Sequence, residues 1–226
     1  MTFWRRMSLC PGSRAAEFAL KPVPSPRLRS LQSRITELRR HTLPQTFDST
    51  GSYSARKIDR ARGFRILAHA EIESCLEDLV AQTVDIAFKG WWLDQRPRTT
   101  LVALVTFCGR EHAAREALGA KGGPDMRERV TSAKDVFMRW VKTENHGVRE
   151  KNVLKLLLPA GIGEHEIETA WLATIDGFGV DRGTTAHQSA NKPQTIPDPQ
   201  TELETVRAIL KGLVPIDRRL MQLQAE

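Results

Sequence analysis

The chain has 226 residues and a mass of 25.4 kDa, with 40% hydrophobic and 27% charged residues. That is ordinary globular composition, which excludes wholesale disorder, and its longest uncharged apolar run, 101–108, is far short of the roughly 20 residues that cross a bilayer. The net charge of +7 is uneven: residues 1–66 carry 14 Lys and Arg against 4 Asp and Glu, and the rest of the chain is slightly acidic.

Residues 1–26 hold Pro11, Gly12, Pro22, Pro24 and Pro26 and read as a flexible, basic, proline-rich arm. No secretory apolar stretch follows Met1, so a cytoplasmic protein is expected. From 27 to 41, Leu28, Leu31, Ile35 and Leu38 recur at three and four residues, the pattern of an amphipathic helix. A loop is expected over 42–54. The clearest element follows, over 55–88, where a 3.6-residue period runs without proline from Ile58 through Phe64, Ile72, Leu76 and Val80 to Ile86. It should span roughly 50 Å, longer than a small core requires, leaving surface for a second protomer.

Gly90 to Thr99 interrupts the pattern, with Trp91 and Trp92 covering an apolar edge. The run 101–108 fits a strand or a buried helix, and its helical neighbours favour helix. After a turn at 119–124, Asp125 is placed to cap a helix through Thr143. A helix over 149–158 should stop at Pro159, and one over 164–175 should stop at Gly177. The last helix opens on Thr201-x-x-Glu204, a capping box, and should break or bend at Pro215. Nothing alternates at period two. An all-α bundle is predicted, with residues 27–226 as a single helical domain.

Cys10, Cys75 and Cys108 show no CxxC spacing, and Cys108 with His112 supplies two ligands where a closed zinc site needs four. No metal and no cofactor are expected. Nor is there a Walker loop, a dinucleotide fingerprint, an HExxH or a GxSxG motif. The basic N-terminal third suits a polyanion, because each cation placed on a phosphate releases counterions; a solvated helix face would carry the same charge.

Four arginines precede a histidine by five or seven positions: Arg34 and His41, Arg62 and His69, Arg139 and His146, Arg182 and His187. The first three fall in or at the end of predicted helices. The fourth lies between two predicted helices, among small and polar residues, with Gly183 inside it. Its chemistry suits RNA cleavage: a histidine near neutral pKa can move the proton of a ribose 2′-OH or of the 5′ leaving oxygen, and a guanidinium can hold the phosphate. His69 is the next candidate, with Glu73 at i, i+4. His146 is read as a helix-end residue, Trp140 and Trp171 as core, and Asp176 and Asp181 as flanking acids.

The stretch Ala170-Trp171-Leu172, Gly177-Phe178-Gly179 and Arg182-Gly183-Thr184-Thr185-Ala186-His187-Gln188-Ser189 resembles the signature region of HEPN-domain ribonucleases, in particular the RiboL-PSP-HEPN group. Similar to the same group are Ala68-His69-Ala70-Glu71-Ile72-Glu73 with Leu76-Glu77-Asp78, Asn145-His146-Gly147-Val148 with Asn152-Val153-Leu154, and the closing Glu202…Glu204-Thr205-Val206. The resemblance covers 55 to the end of the sequence. It implies a HEPN-like helical bundle that forms a homodimer, with Arg182 and His187 as the catalytic pair. It also implies metal-independent cleavage of RNA, often in toxin–antitoxin or anti-phage systems, with an antitoxin protein as a further partner. One departure is Gly183, where many active members carry a polar residue, often Asn. The alternative is a HEPN-fold module that binds RNA or protein without cleaving.

Overall fold

The computed structural model describes residues 23–109, 125–187 and 198–226, with the backbone alone for 181–187. These residues form seven α-helices and one 3-10 turn, and no strand occurs among them. The helices are α1 (Pro26–Thr42), α2 (Ala55–Asp94), α3 (Thr99–Cys108), α4 (Met126–Thr143), α5 (Glu150–Ala160), α6 (Thr169–His187) and α7 (Pro199–Gln224), with the 3-10 turn at Glu164–Glu166 before α6. The expected all-α bundle is the observed architecture. No helix among the described residues is long and apolar enough to cross a membrane.

Ser25 and Pro26, assigned to the arm by composition, belong to the start of α1. The Ser25 hydroxyl accepts from the Leu28 N–H at 3.1 Å, and Pro26 takes the first helical position, where no N–H is needed. Leu28, Leu31, Ile35 and Leu38 are all buried, and Arg39, Arg40 and His41 occupy the last turn, where the helix dipole favours positive charge. At α4, Asp125 and Glu128 complete a capping box.

Several expected helix ends do not occur. Helix α2 has 40 residues, about 60 Å. It continues through Gly90, where the Arg98 side chain lies across the glycine and pairs with Asp94 at 2.8 Å. Burial of Trp91 accounts for the extra turn. Helix α5 includes Pro159 and stops at Gly161, whose neighbour Ile162 returns its N–H to Leu157. Helix α6 begins at Thr169 rather than Glu164 and runs through Gly177 and Gly179 to His187, because Phe178 is buried between them. Helix α7 starts at Pro199, capped by the Asp198 carboxylate on the Gln200 and Thr201 N–H groups, so Thr201 is not its cap. It passes Pro215 because Ile216, Leu220 and Leu223 bury on its far side.

Helix α2 contacts every other helix. Arg27 pairs with Asp78 at 2.7 Å and Arg34 with Glu71 at 3.0 Å, so α1 lies antiparallel to α2, residue against residue over two turns. Helix α7 runs parallel to α2, with Glu202 on Arg65 near its start and Gln224 donating to Thr83 at 2.8 Å near its end. Arg65 and Glu202 are buried and joined by two N–H···O bonds, one of 2.8 Å. Trp171 of α6 rests on Gly212 of α7, where a Cβ would collide with the indole, and donates its indole N–H to the Ile209 carbonyl at 3.0 Å.

A buried charge left without its partner keeps its desolvation cost and loses the compensating attraction. Glu202→Leu should therefore lower stability by roughly 3–5 kcal/mol, and Arg65→Met combined with Glu202→Leu should recover most of that loss. Urea unfolding of the single and double variants measures both.

Candidate functional site: a polar junction beneath the end of α6

Three residues of α2 spaced four apart, His69, Glu73 and Glu77, form a row along one side of the helix. The segment between α4 and α5 crosses that row. The Asn145 side-chain amide donates to Glu77 Oε1 at 2.6 Å, and the Gly147 N–H donates to Glu73 Oε1. Gly147 has φ +95°, which glycine alone adopts without strain, and a Cβ there would lie 3.7 Å from the His69 ring. From the other side, the Asn152 amide donates to the carbonyls of His146 and Gly147 at 2.7 and 3.1 Å. The loop is thus held at four points.

His69 is 1% exposed, with Nδ1 3.5 Å from Glu73 Oε2. Its ring stacks on Phe178 of α6, centroids 5.8 Å apart. A second tie joins the same elements. Asp176 of α6 accepts from the Glu150 N–H at 2.9 Å and from Arg149 Nε at 2.8 Å, capping α5 from outside. Those two bonds hold the Asp176 carboxyl below the usual carboxylate range, Arg149 being the larger cause. Burial pushes Glu77 the other way, with Asn145 opposing.

The expected site residues divide as follows. The side chains of Arg182 and His187 lie outside the described part of the structure, as does Asp181. Their backbone forms the last turns of α6 and not a loop between helices. Arg182 is one turn beyond Phe178, and His187 follows at i, i+5, about 140° around the axis and 7.5 Å further along. His69 is at the centre of the junction. His146 is exposed in the crossing loop, three residues past the end of α4, and its carbonyl accepts from the Asn152 amide. Asp176 is committed to α5. Trp171 is core, and Trp140 is partly buried, stacked on Phe137 beneath Lys155.

Cys10 and His112 lie outside the described residues. Cys75 is buried, which pushes its thiol up to about 11. Among the described residues no three His, Cys, Asp or Glu side chains gather as a metal-binding group. A separate apolar groove of about 540 Å³ opens between α3, α4 and α5, lined by Phe107, Phe137, Trp140, Leu154 and Pro159.

Sequence reading identified the His69–Glu73 spacing but missed Glu73 on Gly147 and Asp176 on Arg149. Both partners come from distant segments, and no spacing within either segment marks the contact. No family model matches the chain, and neither a curated protein nor a solved structure matches it.

A carboxylate whose folded-state pKa is depressed adds stability above its ordinary value and loses it as pH falls through the folded value. Asp176→Asn should therefore be less stable than wild type at pH 7, and the gap should close below about pH 4, the ordinary Asp range. Urea midpoints for both proteins between pH 7 and 3 check the sign.

Proposed function

We propose that this chain is a metal-independent endoribonuclease of HEPN type, acting as a homodimer on RNA through Arg182 and His187. What supports this reading is the convergence of its family-like segments. Ala68–Glu73, Asn145–Val148 and Trp171–Phe178 resemble the group separately in sequence, and here they meet around His69, with the Arg182–His187 backbone rising from that junction. Glu202, from the fourth such segment, is buried against Arg65 one turn of α2 away.

The chemistry follows from the two side-chain types. His187 takes the proton of a ribose 2′-OH, the 2′ oxygen attacks phosphorus, and the P–O5′ bond breaks. The His187 imidazolium gives up a proton to the 5′ oxygen, leaving a 2′,3′-cyclic phosphate and a 5′-OH end. Arg182 holds the non-bridging oxygens as charge builds on them. The nucleophile belongs to the substrate.

Because the helix sets Arg182 and His187 on different faces, a second copy of the chain is expected to complete the site. Exposed Ile66 and Leu67 on α2 and Val180 on α6 supply apolar surface beside it for such a contact. A cytoplasmic toxin or anti-phage effector held by an antitoxin protein is the setting that the family likeness suggests. A non-cleaving RNA- or protein-binding module is the second reading, favoured by Gly183 and by the helical separation of the pair.

Wild type, Arg182→Ala and His187→Ala incubated with a labelled structured RNA in EDTA separate the two. Each substitution should reduce cleavage at least 100-fold while the dimer persists in sedimentation, and an all-deoxy strand should resist. Cleavage by wild type that stops in EDTA, or that survives His187→Ala, would overturn the ribonuclease reading.

A further inference from the structure

Ten lysines and arginines between residues 27 and 65 give the N-terminal third its charge, and the structure divides them into two groups. Arg27, Arg34, Arg62 and Arg65 are held by Asp78, by Glu37 and Glu71, by Asp59 and by Glu202. Arg39 lies over Phe47 and donates to the Gln45 carbonyl. Arg29, near the start of α1, and then Arg40, Arg56, Lys57 and Arg60 are exposed and form no ion pair among the described residues.

The last four share one end of the bundle. The antiparallel register of α1 on α2, fixed by Arg27–Asp78 and Arg34–Glu71, brings Arg40 to the level of residue 65 of α2. That is about 7.5 Å along the axis from Arg60. Arg56 and Arg60 are i, i+4 neighbours, Lys57 and Arg60 i, i+3, and the Lys57 ammonium stands 5.9 Å over the Tyr53 ring. Of the acids nearby, Glu37 is taken by Arg34 and Asp59 by Arg62, Asp48 receives both the N–H and the hydroxyl of Thr50, and Asp198, beside Tyr53, accepts from the Gln200 and Thr201 N–H groups. Helix α6 points to the same end. Its Trp171 sits on Ile209 and its Phe178 on His69, so it runs against the direction of α2 and its last turns advance toward the level of residues 60–65.

We infer that Arg40, Arg56, Lys57 and Arg60 form a docking surface for the phosphate backbone of an RNA strand. The inference rests on the ribonuclease reading for the identity of the polyanion, and on the charge arrangement for the site. Four exposed cations in no ion pair, with Glu37 near Arg40 and Asp48 near Lys57 as the carboxylates in range, keep N–H groups open for phosphates, and arginine presents two parallel N–H groups to each phosphate. The paired arginines of the same stretch would have to give up a carboxylate first.

The test uses the full chain and a fluorescent 2′-O-methyl RNA oligomer, which lacks the attacking hydroxyl, with anisotropy read from 50 to 300 mM NaCl. Arg40→Gln, Arg56→Gln, Lys57→Gln and Arg60→Gln are combined in one variant. A control variant removes as many exposed charges elsewhere, through Arg29→Gln, Lys89→Gln, Lys142→Gln and Lys211→Gln. The first should bind at least 10-fold more weakly at 100 mM salt, with its log–log salt slope reduced by about 3, at about 0.7 per lost contact on a single strand. The control should stay within about 3-fold of wild type, and both should keep wild-type circular dichroism.

Equal losses in the two variants, or unaltered binding in the first, would overturn the inference. So would poly-glutamate bound through the same four residues as tightly as RNA, which would assign the surface to an acidic protein. Cleavage is scored separately. Binding through these residues by a wild type that never cuts RNA would sink the nuclease reading and leave the surface standing; cutting with unaltered binding in the variant would do the reverse.

Discussion

The Arg65–Glu202 pair joins the helix on which all the others rest to the helix that ends the sequence, with both charges taken out of water. Such burial is tolerated where two parallel N–H···O bonds satisfy the ions, and a shift of half a turn in either helix would forfeit one bond and expose the cost. The first turn of α7 is therefore fixed against residue 65 of α2, and its parallel course carries Gln224 to Thr83. With α7 placed, Gly212 and the Ile209 carbonyl present a notch that the Trp171 ring fills, which orients α6. Once Trp171 is seated, Phe178 comes to His69. The polar junction is in this sense downstream of one ion pair whose partners lie 137 residues apart in the sequence.

That junction solves a second problem. A short connection between α4 and α5 has to pass over a buried histidine with its own backbone N–H groups satisfied. Glu73 takes the Gly147 N–H, the Trp140 carbonyl takes the Asn145 N–H while Glu77 takes the Asn145 side-chain amide, and Asn152 returns donors to the two carbonyls. Gly147 matters for its positive φ as much as for its missing side chain. The carboxylates of α2, which periodicity alone would treat as the solvated side of an amphipathic helix, are structural acceptors. Their spacing matches the crossing loop, and that match makes the 145–152 segment a rigid wall beside α6.

Much of the fold was legible because apolar period dominates it. The buried positions of α1 and of most of α2 are the ones their spacing marks. The errors cluster where local chemistry argued for an end and burial argued for continuation. Gly90, Pro159, Gly177 and Pro215 each carry a helix-ending preference of about 1–3 kcal/mol. Each is followed within a few residues by a side chain that the helix buries, as Phe178 follows Gly177 and Ile216 follows Pro215. The α7 cap was misplaced because Thr201-x-x-Glu204 and Asp198-Pro199 are both sound start signals, and the earlier one was free to act. At the site, a pair on one helix such as His69 and Glu73 could be read from spacing. Asp176 on Arg149, and the sorting of the basic stretch into tied and untied cations, depend on contacts between helices and leave no periodic trace.

The extension of α6 changes what the Arg182–His187 spacing means. In a loop, a glycine between the two residues would let one chain fold cation and imidazole onto one phosphate. In a helix the same glycine carries no such freedom, and five residues set the two positions about 140° apart. Under the proposed ribonuclease reading, that arrangement calls for a site shared between two copies, because a two-fold axis beside α6 could bring one face of each helix to the other. It also shifts the demand for substrate grip away from the motif. On the proposed reading, a site with one guanidinium and one imidazole per copy would hold few phosphates, whereas cations at the same end of α1 and α2 are exposed and form no ion pair among the described residues. Separation of the groups that would cut from the groups that would hold is then a consequence of a helix that does not stop at its glycines.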